Sequence, residues 1–303
     1  MNLVSVILTT FNSESQIEEV IDSIKNQEGN SKSFNIELIV VDDCSTDSTT
    51  DILKRMNIRF ISTAKNTGGP NKGRNIAISR CKGDFICIAD HDDVWFPNKI
   101  LELISASDLA PIITSGYILE DTNSGRKVER VNNSGDVPFI KYKKNETFLT
   151  KLTKSKSGQQ TYLGSIMFSS TLKDIKFEES LGMIDFDWIL KMFYNNYSVE
   201  ICKSLYVRKV DRNNLSLNER YRINDYNYSL QIISLYKDEF SKEVALSEKR
   251  INGSMGRYYY LIGDMKNSRR YLLRSVINIK TVLYLMTTFV GAKIVKKYFN
   301  IFG

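Results

Sequence analysis

The stretch that decides the fold is an apolar run ending in an acidic cluster, Phe85-Ile86-Cys87-Ile88-Ala89-Asp90-His91-Asp92-Asp93. The apolar part has the length and composition of a buried strand. Crowded carboxylates repel one another and stay ionised only where a cation or hydrogen-bond donors meet them. Hard oxygen ligands suit Mg²⁺ or Mn²⁺, and a Mg²⁺ held by one or two carboxylates usually completes its shell with substrate phosphates. The stretch therefore predicts a metal–diphosphate site at a strand tip.

Strand and helix patterns alternate through the first third of the chain. The patterns predict strands at residues 3–8, 36–41, 58–61, 84–89 and 112–119, with helices between them. Ser13 and Gln16 have the spacing of a capping box before the first helix. Its predicted buried face consists of Ile17, Val20, Ile21 and Ile24. Alternating strands and helices predict an α/β fold with a mainly parallel, Rossmann-like sheet flanked by helices.

Polar segments follow three of these strands, at residues 9–12, 42–47 and 90–93. Ligands of such sheets bind beyond the carboxyl ends of the strands. We therefore expect these segments to meet at one edge of the sheet, although they lie far apart in sequence.

The remaining chain is expected to form a second half of the α/β region and a helical extension. Residues 121–160 are polar and lysine-rich with weak periodicity, which predicts a long loop region. Strands are predicted at 162–168 and 198–207, a helix at 185–194, and helices from about 219 onward. The predicted divisions are residues 1–120 and 121–218 for the two halves of the α/β region, and 219–303 for the helical region with its basic amphipathic tail.

Composition and charge exclude several classes of function. The 303 residues are 42% hydrophobic and 25% charged, as in a globular protein. His91 is the only histidine, which excludes His-cluster zinc sites and disfavours a Ser-His-Asp triad. The net charge is +7, but residues 242–303 carry 12 basic and 3 acidic side chains. Since the basic charge belongs to the tail, the sequence argues against nucleic-acid binding.

The four cysteines, Cys44, Cys81, Cys87 and Cys202, show no C-x-x-C spacing and are expected to be reduced. The first residues are too short an apolar run for a signal peptide, and no stretch has the length of a membrane-spanning helix. These features predict a cytoplasmic protein.

Four blocks in a fixed order resemble the inverting family-2 glycosyltransferases with the GT-A fold. The resemblance covers roughly residues 3–216. The blocks are Val4-Ser5-Val6-Ile7-Leu8-Thr9-Thr10-Phe11-Asn12, Val40-Val41-Asp42-Asp43-Cys44-Ser45-Thr46-Asp47, Asn66-Thr67-Gly68-Gly69-Pro70 with Gly73-Arg74-Asn75, and Ala89-Asp90-His91-Asp92-Asp93. One block alone would be weak evidence, whereas four at these spacings are strong evidence.

The resemblance implies roles for individual residues. Thr9 and Phe11 line the base pocket of a nucleotide-sugar donor, and Asp43 accepts a hydrogen bond from the pyrimidine ring. Arg74 lies near the ribose and phosphates. In the Asp-x-Asp motif, Asp90 contacts the ribose or the metal, Mn²⁺ or Mg²⁺, and Asp92 binds the metal. Asp185 occupies the position of the catalytic base.

Two positions depart from the family pattern. Ile184 replaces the glutamate that usually precedes the base. Asp211 stands where many members carry a histidine that holds the diphosphate or the metal. An aspartate can still be a metal ligand, but it adds negative charge. Metal dependence is therefore less firmly implied than the Asp-x-Asp motif alone would suggest.

The implied activity is inverting transfer of a hexosyl or deoxyhexosyl group from a UDP- or dTDP-sugar to a polysaccharide or lipid-linked glycan. The resemblance also implies that residues 1–120 form the nucleotide-sugar-binding half and residues 121–218 the acceptor-binding half. Three alternatives stay open. A noncatalytic nucleotide-sugar-binding module would explain Ile184 and Asp211. An aspartyl-phosphate phosphohydrolase would use Asp90 as its nucleophile, but it carries the motif on its first strand. A sugar nucleotidyltransferase would need a glycine-rich loop after strand one, and residues 9–12 are not one.

Individual site residues also have simpler readings. Asp42 and Asp43 can cap the helix that follows Thr46, because aspartate favours such positions. Asp185 can be an ordinary helix N-cap, and Asp187 competes with it for the role of base.

The tail mixes apolar and basic residues between Val276 and Phe302. The apolar stretch at 281–292 is too short to span a bilayer, so the pattern favours an interfacial helix on an anionic membrane surface. The predicted location is thus peripheral, on the inner face of the cell membrane. The alternative is a helix packed on the catalytic domain or on a second subunit of a homodimer.

Overall fold

The computed structural model describes residues 1–132, 137–155, 157–181, 184–210 and 219–289. The chain divides into two compact units. Unit 1 comprises Met1–Phe148 and Ser157–Asn213, and unit 2 comprises Leu149–Lys156 and Asn214–Gly303. The predicted site residue Asp211 and the last part of the tail, 290–303, lie outside the described residues. All other predicted site residues belong to unit 1.

Unit 1 is built on a mixed sheet, to which the described residues contribute ten strands. The strands are β1 (Asn2–Thr10), β2 (Phe34–Asp42), β3 (Phe60–Ser62), β4 (Phe85–Ala89), β5 (Asp93–Trp95), β6 (Ile112–Asp121), β7 (Lys127–Arg130), β8 (Phe139–Tyr142), β9 (Met167–Ser169) and β10 (Ser198–Val210). Their order in the sheet is β3-β2-β1-β4-β9-β6-β10-β5, with β7 paired to β6 and β8 paired to β10.

The longest ladders of the sheet are parallel. Strands β3, β2, β1 and β4 run parallel to one another, and β6 runs parallel to β10. The short strands β5, β7, β8 and β9 add antiparallel pairs beyond β4. The predicted α/β class with a mainly parallel sheet is therefore confirmed, with antiparallel strands confined to the part of the sheet beyond β4.

Helices connect the strands and cover the core of unit 1. They are α1 (Ile17–Lys25), α2 (Thr49–Arg55), α3 (Pro70–Arg80), α4 (Lys99–Ser105), α5 (Glu146–Leu152), which continues into unit 2, and α6 (Phe186–Phe193). The predicted apolar face of α1 is fully buried in one hydrophobic cluster with Val4, Val6 and Leu8 of β1. This cluster packs α1 against β1, and the polar residues follow at the carboxyl end of that strand.

The capping box predicted for α1 is wrong. The N-cap residue is Gln16, and its side chain makes no capping hydrogen bond. The Ser13 hydroxyl instead donates to the carbonyl of Phe11 at 3.2 Å, and the Ser13 amide donates to Thr49 at 2.8 Å. Ser13 therefore ties the end of β1 to α2, a tertiary contact that local spacing does not encode.

Residues 121–160 are more regular than the predicted loop region. They contain β7, β8 and α5. The sequence of β7, Lys-Val-Glu-Arg, has one apolar residue, so it shows no alternation and depends on pairing with β6. The strand predicted at 162–168 is also shorter than expected, because a 3₁₀ turn at Leu163–Ser165 precedes β9.

Unit 2 is helical across its described residues, as the sequence predicts. Its helices are α7 (Glu219–Ser234), α8 (Ser241–Ile262), α9 (Met265–Leu272) and α10 (Ile279–Thr287). Gly263 ends α8 with φ +93°, a left-handed conformation that glycine adopts without strain. Tyr260, Leu272 and Tyr284 form a small apolar cluster between the last three helices. None of the described helices combines the length and the apolar character needed to cross a membrane.

Candidate functional site

The carboxyl ends of β1, β2 and β4 lie side by side. The parallel register pairs Thr10 with Asp42 and Leu8 with Ala89. The polar segments after these strands therefore meet at one edge of the sheet, which we call the strand-tip edge (residues 9–12, 42–47 and 90–93). This is the position at which parallel sheets bind ligands.

Asp42 has a structural role at this edge. It is 1% exposed, and its carboxylate accepts hydrogen bonds from the Ser45 amide at 3.1 Å and from the Ser45 hydroxyl at 2.5 Å. Asp47, rather than Asp42 or Asp43, accepts a hydrogen bond from the backbone amide of Thr49 at the start of α2, at 3.0 Å. Asp42 therefore has a local structural role but does not cap α2, whose N-cap residue is Ser48.

Asp43 anchors a neighbouring loop. Its carboxylate accepts hydrogen bonds from the Thr63 hydroxyl at 2.9 Å and from the Thr67 hydroxyl at 3.0 Å. The Thr67 amide donates to the same carboxylate at 3.0 and 3.2 Å. Thr9, at the end of β1, is buried, and Phe11 is 42% exposed. The three predicted base-pocket residues therefore share the strand-tip edge, with an exposed aromatic ring at its rim.

Arg74 connects α3 to the acidic loop. It is 5% exposed, and its Nη2 donates to the Asp90 carboxylate at 2.8 Å. Its Nη1 donates to the Asn71 side-chain oxygen at 3.4 Å, and the guanidinium lies 5.2 Å from the centre of the Phe177 ring. Its Nε is buried and has no hydrogen-bond partner among the described residues. An orphaned buried guanidinium N–H is costly, which fits a site for an anionic ligand.

Gly73 allows α3, and with it Arg74, to lie close to the end of β1. A Cβ atom at Gly73 would lie 3.0 Å from Thr9 Cγ2, tighter than most side-chain contacts. The missing side chain lets α3 pack directly on the end of β1. The Gly-Arg pair is therefore the part of the third block that shapes the site.

The carboxylates of the acidic loop differ in environment. Asp92 is half-buried, and burial raises its pKa, an effect that the charge of Asp90 increases and that of His91 reduces. Asp93 is fully buried in β5, and burial together with the charges of Asp90 and Asp92 raises its pKa well above the usual range. Asp93 is thus a buried structural residue, whereas Asp90 and Asp92 reach solvent.

Lys99, which the sequence analysis missed, lies fully buried behind this loop. Its ammonium donates to the Gly164 carbonyl and lies 3.9 Å from the centre of the Trp95 ring and 4.4 Å from that of Tyr206. Burial lowers its pKa to about 8, against the opposing effect of the nearby Asp93 charge. The sequence gives one signal for its burial. Lys99 stands four residues before Leu103, and residues with this spacing share one face of a helix.

Arg208 is a second cation that the sequence analysis did not single out. The β5–β10 ladder pairs it with Asp93, which places it beside the acidic loop. Its guanidinium lies 4.4 Å from the centre of the Tyr162 ring. Its position three residues before Asp211, which the sequence analysis named as a site residue, was the available signal.

Asp185 and Asp187 occupy contrasting positions at the start of α6. Asp185 is the N-cap residue and is half-buried, but its side chain makes no capping hydrogen bond. Asp187 is 3% exposed and forms an ion pair with Lys191 at 2.6 Å. The environment of Asp187 is that of a structural residue. Asp185 is therefore the more exposed of the two carboxylates.

The chemistry of the acidic loop fits a hard divalent cation. Within the described residues, no three Asp, Glu, His or Cys side chains are grouped closely enough to hold an ion alone. Asp90 and Asp92 supply carboxylate oxygens, and an ion held by two carboxylates takes its other ligands from water and phosphates. Burial and the Asp90 charge raise the pKa of Asp92, and a bound cation would oppose both effects. The residues present therefore fit Mg²⁺ or Mn²⁺ bound together with a diphosphate.

The comparison with protein families identifies the class of enzyme. Residues 5–173, more than half of the chain, match the family described as Glycosyl transferase family 2. The chain belongs to this family. The phosphohydrolase alternative is thereby removed, in agreement with the position of the acidic motif after the fourth strand rather than the first.

Two relatives from Staphylococcus aureus carry the name poly(ribitol-phosphate) beta-N-acetylglucosaminyltransferase. TarS is 40% identical over 93 residues, which make up 29% of this chain and 16% of TarS. TarP is 26% identical over 272 residues, 85% of this chain and 78% of TarP. The match to TarS thus spans only a small part of that protein, whereas the match to TarP extends over most of both chains.

Solved structures share the fold of this chain. Residues 1–349 of S. aureus TarS in complex with UDP-GlcNAc superimpose with a TM-score of 0.58 at 18% identity, covering 98% of this chain and 92% of that one. The mannosyltransferase PcManGT from Pyrobaculum calidifontis, in complex with GDP-Man and Mn²⁺, superimposes with a TM-score of 0.56 at 16% identity, covering 94% and 78%. At these identities the likeness shows the fold, and the predicted GT-A architecture is confirmed.

Proposed function

We propose that the strand-tip edge binds a UDP-sugar, or less readily a dTDP-sugar, and that unit 1 transfers the sugar with inversion to a glycan or lipid-linked glycan. The observation that carries this proposal is the buried Arg74 paired with Asp90 at 2.8 Å beside Asp92. A cation and two solvent-reaching carboxylates at one strand tip suit a diphosphate and a divalent metal.

The base of the donor would lie between Thr9, Phe11 and Asp43. The exposed ring of Phe11 offers a stacking surface, and a carboxylate is a suitable acceptor for the imide N–H of uracil. Asp43 is held in one orientation by Thr63 and Thr67, so it needs little reorganisation when the base binds. The UDP and UDP-GlcNAc complexes of TarS support a uridine donor as the first candidate.

The divalent cation, Mn²⁺ or Mg²⁺, would be held by Asp90 and Asp92, with Asp211 as a further candidate ligand. When bound, such an ion neutralises the charge that develops on the departing diphosphate. Arg74, whose buried Nε–H has no hydrogen-bond partner among the described residues, would contribute a positive charge close to the same group. The Mn²⁺ complex of PcManGT supports this choice of metal.

Asp185 would act as the catalytic base. The acceptor hydroxyl loses its proton to the Asp185 carboxylate as its oxygen bonds to the anomeric carbon from the face opposite to the diphosphate. The bond to the diphosphate breaks at the same time, and its electron pair leaves with the nucleotide. A single displacement of this kind inverts the anomeric centre, and a positioned base contributes about 10²–10⁴-fold to its rate.

The acceptor would be bound by residues 121–218, and the donor by residues 1–120. Strands β7 and β8 and the start of α6 all belong to the first of these ranges. A noncatalytic binding module would keep the donor site and lack turnover, so donor binding and product formation must be measured separately.

Nucleotide binding tests the proposal directly. Thermal unfolding is followed with UDP, dTDP, GDP and ADP, each with Mn²⁺ and with EDTA. A ligand at 100 times its Kd adds about 2.7 kcal/mol of stability, which raises the Tm measurably. We expect UDP with Mn²⁺ to give the largest rise. Equal effects of the four nucleotides, or none, would contradict the proposal.

We also propose that unit 2 contacts an anionic membrane surface through what we call the basic apolar surface. It consists of large apolar side chains that are 64–82% exposed, and of five basic residues, between Met265 and Phe289. The apolar members are Leu273, Ile277, Ile279, Met286 and Phe289, and the basic members are Lys266, Arg269, Arg270, Arg274 and Lys280.

The charge of the basic apolar surface favours an anionic lipid surface over a second copy of the chain as its partner. The sequence from Met265 to Phe289 contains no acidic residue. A homodimer that joins this surface to itself would bring like charges together, whereas an anionic lipid surface attracts them at about 1 kcal/mol per basic residue. The proposed location is therefore peripheral, on the inner face of the cell membrane, and dimerisation is the alternative outcome.

A further inference from the structure

The polar face of α3 holds the segment that leads to Asp185. Asn71, Arg74 and Asn75 are three and four residues apart and therefore share one face of the helix. Asn75 exchanges hydrogen bonds with the Phe177 backbone, donating to its carbonyl and accepting from its amide, both at 2.9 Å. The Phe177 ring in turn stacks on Trp188 of α6, with centroids 4.6 Å apart. This face of α3 is thus built to fix the chain between β9 and α6.

Asn71 makes the decisive contacts within this face. It is 1% exposed, and its side-chain amide donates to the carbonyls of Glu178 at 3.1 Å and of Ile184 at 3.2 Å. Ile184 immediately precedes Asp185. One buried amide therefore holds two points of the segment and fixes the peptide unit to which the proposed base is attached.

The same side chain also faces the donor site. The Asn71 side-chain oxygen accepts from Arg74 Nη1 at 3.4 Å, and Arg74 Nη2 donates to Asp90 at 2.8 Å. A continuous series of hydrogen bonds thus runs from the acidic loop through Arg74 and Asn71 to the backbone before Asp185.

We propose that Asn71 is a positioning residue that sets the catalytic base relative to the bound donor. The proposal rests on the proposed role of Asp185. Because inversion needs the acceptor oxygen in line with the departing diphosphate, a small displacement of the base costs turnover, about 10²-fold for a shift of roughly 1 Å. The family usually places a glutamate before its base, and this chain has Ile184 there instead. The backbone carbonyl of Ile184, held by Asn71, gives this chain another means of orienting the base.

Two substitutions separate the hydrogen bonds that the Asn71 side chain donates to the two carbonyls from the one that it accepts from Arg74. Asn71→Asp keeps an acceptor for Arg74 and removes the donor to the two carbonyls. Asn71→Leu is close in volume and removes both the donated and the accepted hydrogen bonds. For Asn71→Asp we expect kcat to fall about 10–10²-fold while the Kd for UDP with Mn²⁺ changes by less than about threefold. For Asn71→Leu we expect a similar fall in kcat and a weaker Kd as well.

Asn196→Ala is the matched control. The Asn196 amide donates to the Met192 carbonyl at 2.8 Å, at the opposite end of α6 from Asp185. Its removal deletes an amide–carbonyl bond on the same helix without touching the base. We expect kcat within about twofold of wild type. Thermal unfolding of every variant shows whether it is folded at the assay temperature, and Asn71→Ala replaces any variant that is not.

A double-mutant cycle with Asp185→Asn decides between positioning and a merely structural role. If Asn71 acts through Asp185, Asn71→Asp lowers kcat little in the Asp185→Asn background, because residues that act as a unit are not additive. Independent effects would multiply, and that result overturns the proposal, as does an unchanged kcat in folded Asn71→Asp. Wild-type turnover by Asp185→Asn would instead refute the proposed base, and with it this role of Asn71.

Discussion

The strand-tip edge and the start of α6 hold their carboxylates in different ways. At the strand-tip edge, Asp43 accepts hydrogen bonds from Thr63 and Thr67, and Asp90 is paired with Arg74. At the start of α6, the Asp185 side chain makes no capping hydrogen bond, and Asn71 holds the backbone before it. In the proposed function, the first region binds the donor, whereas the second supplies the base. Changes at the two regions should therefore affect different kinetic constants.

The largest loss is expected for Asp92→Asn. This change removes a carboxylate that, with Asp90, would hold the cation facing the departing diphosphate, and metal stabilisation of that charge is worth several kcal/mol. We expect transfer to fall at least about 10³-fold and UDP binding to lose its dependence on Mn²⁺. Initial rates and calorimetric titration with Mn²⁺ and with EDTA measure both effects. Full wild-type activity in EDTA would show that the metal assignment is wrong.

Asp185→Asn should separate turnover from binding. The asparagine keeps the shape and removes the base, so we expect kcat to fall at least about 10²-fold with donor affinity nearly unchanged. Asp187→Asn is the comparison on the same helix. It breaks the ion pair with Lys191, so it should lower the Tm and reduce kcat less. The reverse order of the two kcat effects would make Asp187 the base.

The sequence predicted the regions that depend on local pattern. The strands β1, β2 and β4 and the apolar face of α1 were predicted from periodicity, and the polar strand ends followed from the parallel register. The short strands β7 and β8 were missed, because each is specified by its longer partner rather than by its own alternation.

The candidate site shows the same limit. Asp43, Arg74 and Asp90 were identified through the family blocks, and the structure groups them at one edge. Asn71 and Lys99 were missed because their importance lies in contacts 113 and 65 residues away in sequence. A buried amide or ammonium in a helix gives no local signal of which carbonyl it binds.

Asp43→Ala tests whether the strand-tip edge recognises the uracil ring of the donor. Loss of a hydrogen bond to a charged group should weaken UDP binding by about 1.5–3 kcal/mol. Because Asp43 also anchors the loop, Thr63→Val serves as the control, since it removes one loop hydrogen bond and leaves the carboxylate. Calorimetry should show a clearly smaller change for Thr63→Val. Unchanged UDP affinity in folded Asp43→Ala would leave this residue with the anchoring role alone.

The smallest effects are expected at the basic apolar surface, which belongs to neither region. Arg270→Gln and Arg274→Gln should each lower partitioning to vesicles containing phosphatidylglycerol by about fivefold, equivalent to about 1 kcal/mol. Ile279→Ser should also weaken it, while Leu235→Ser, at another exposed apolar position of unit 2, should not. Co-sedimentation with anionic and with phosphatidylcholine vesicles measures this, and light scattering reports the mass. Wild type that does not sediment and scatters as a dimer would favour subunit packing.

The stereochemistry of the reaction tests the division between the two regions most directly. Turnover of an α-linked UDP-sugar by wild type, with the acceptor or with water, is followed by proton NMR before the product anomers equilibrate. A single displacement assisted by Asp185 predicts that the β-anomer forms first and that Asp185→Asn, still binding UDP, forms it at least about 10²-fold more slowly. An α-anomer formed first, or an undiminished rate in Asp185→Asn, would contradict the proposed mechanism.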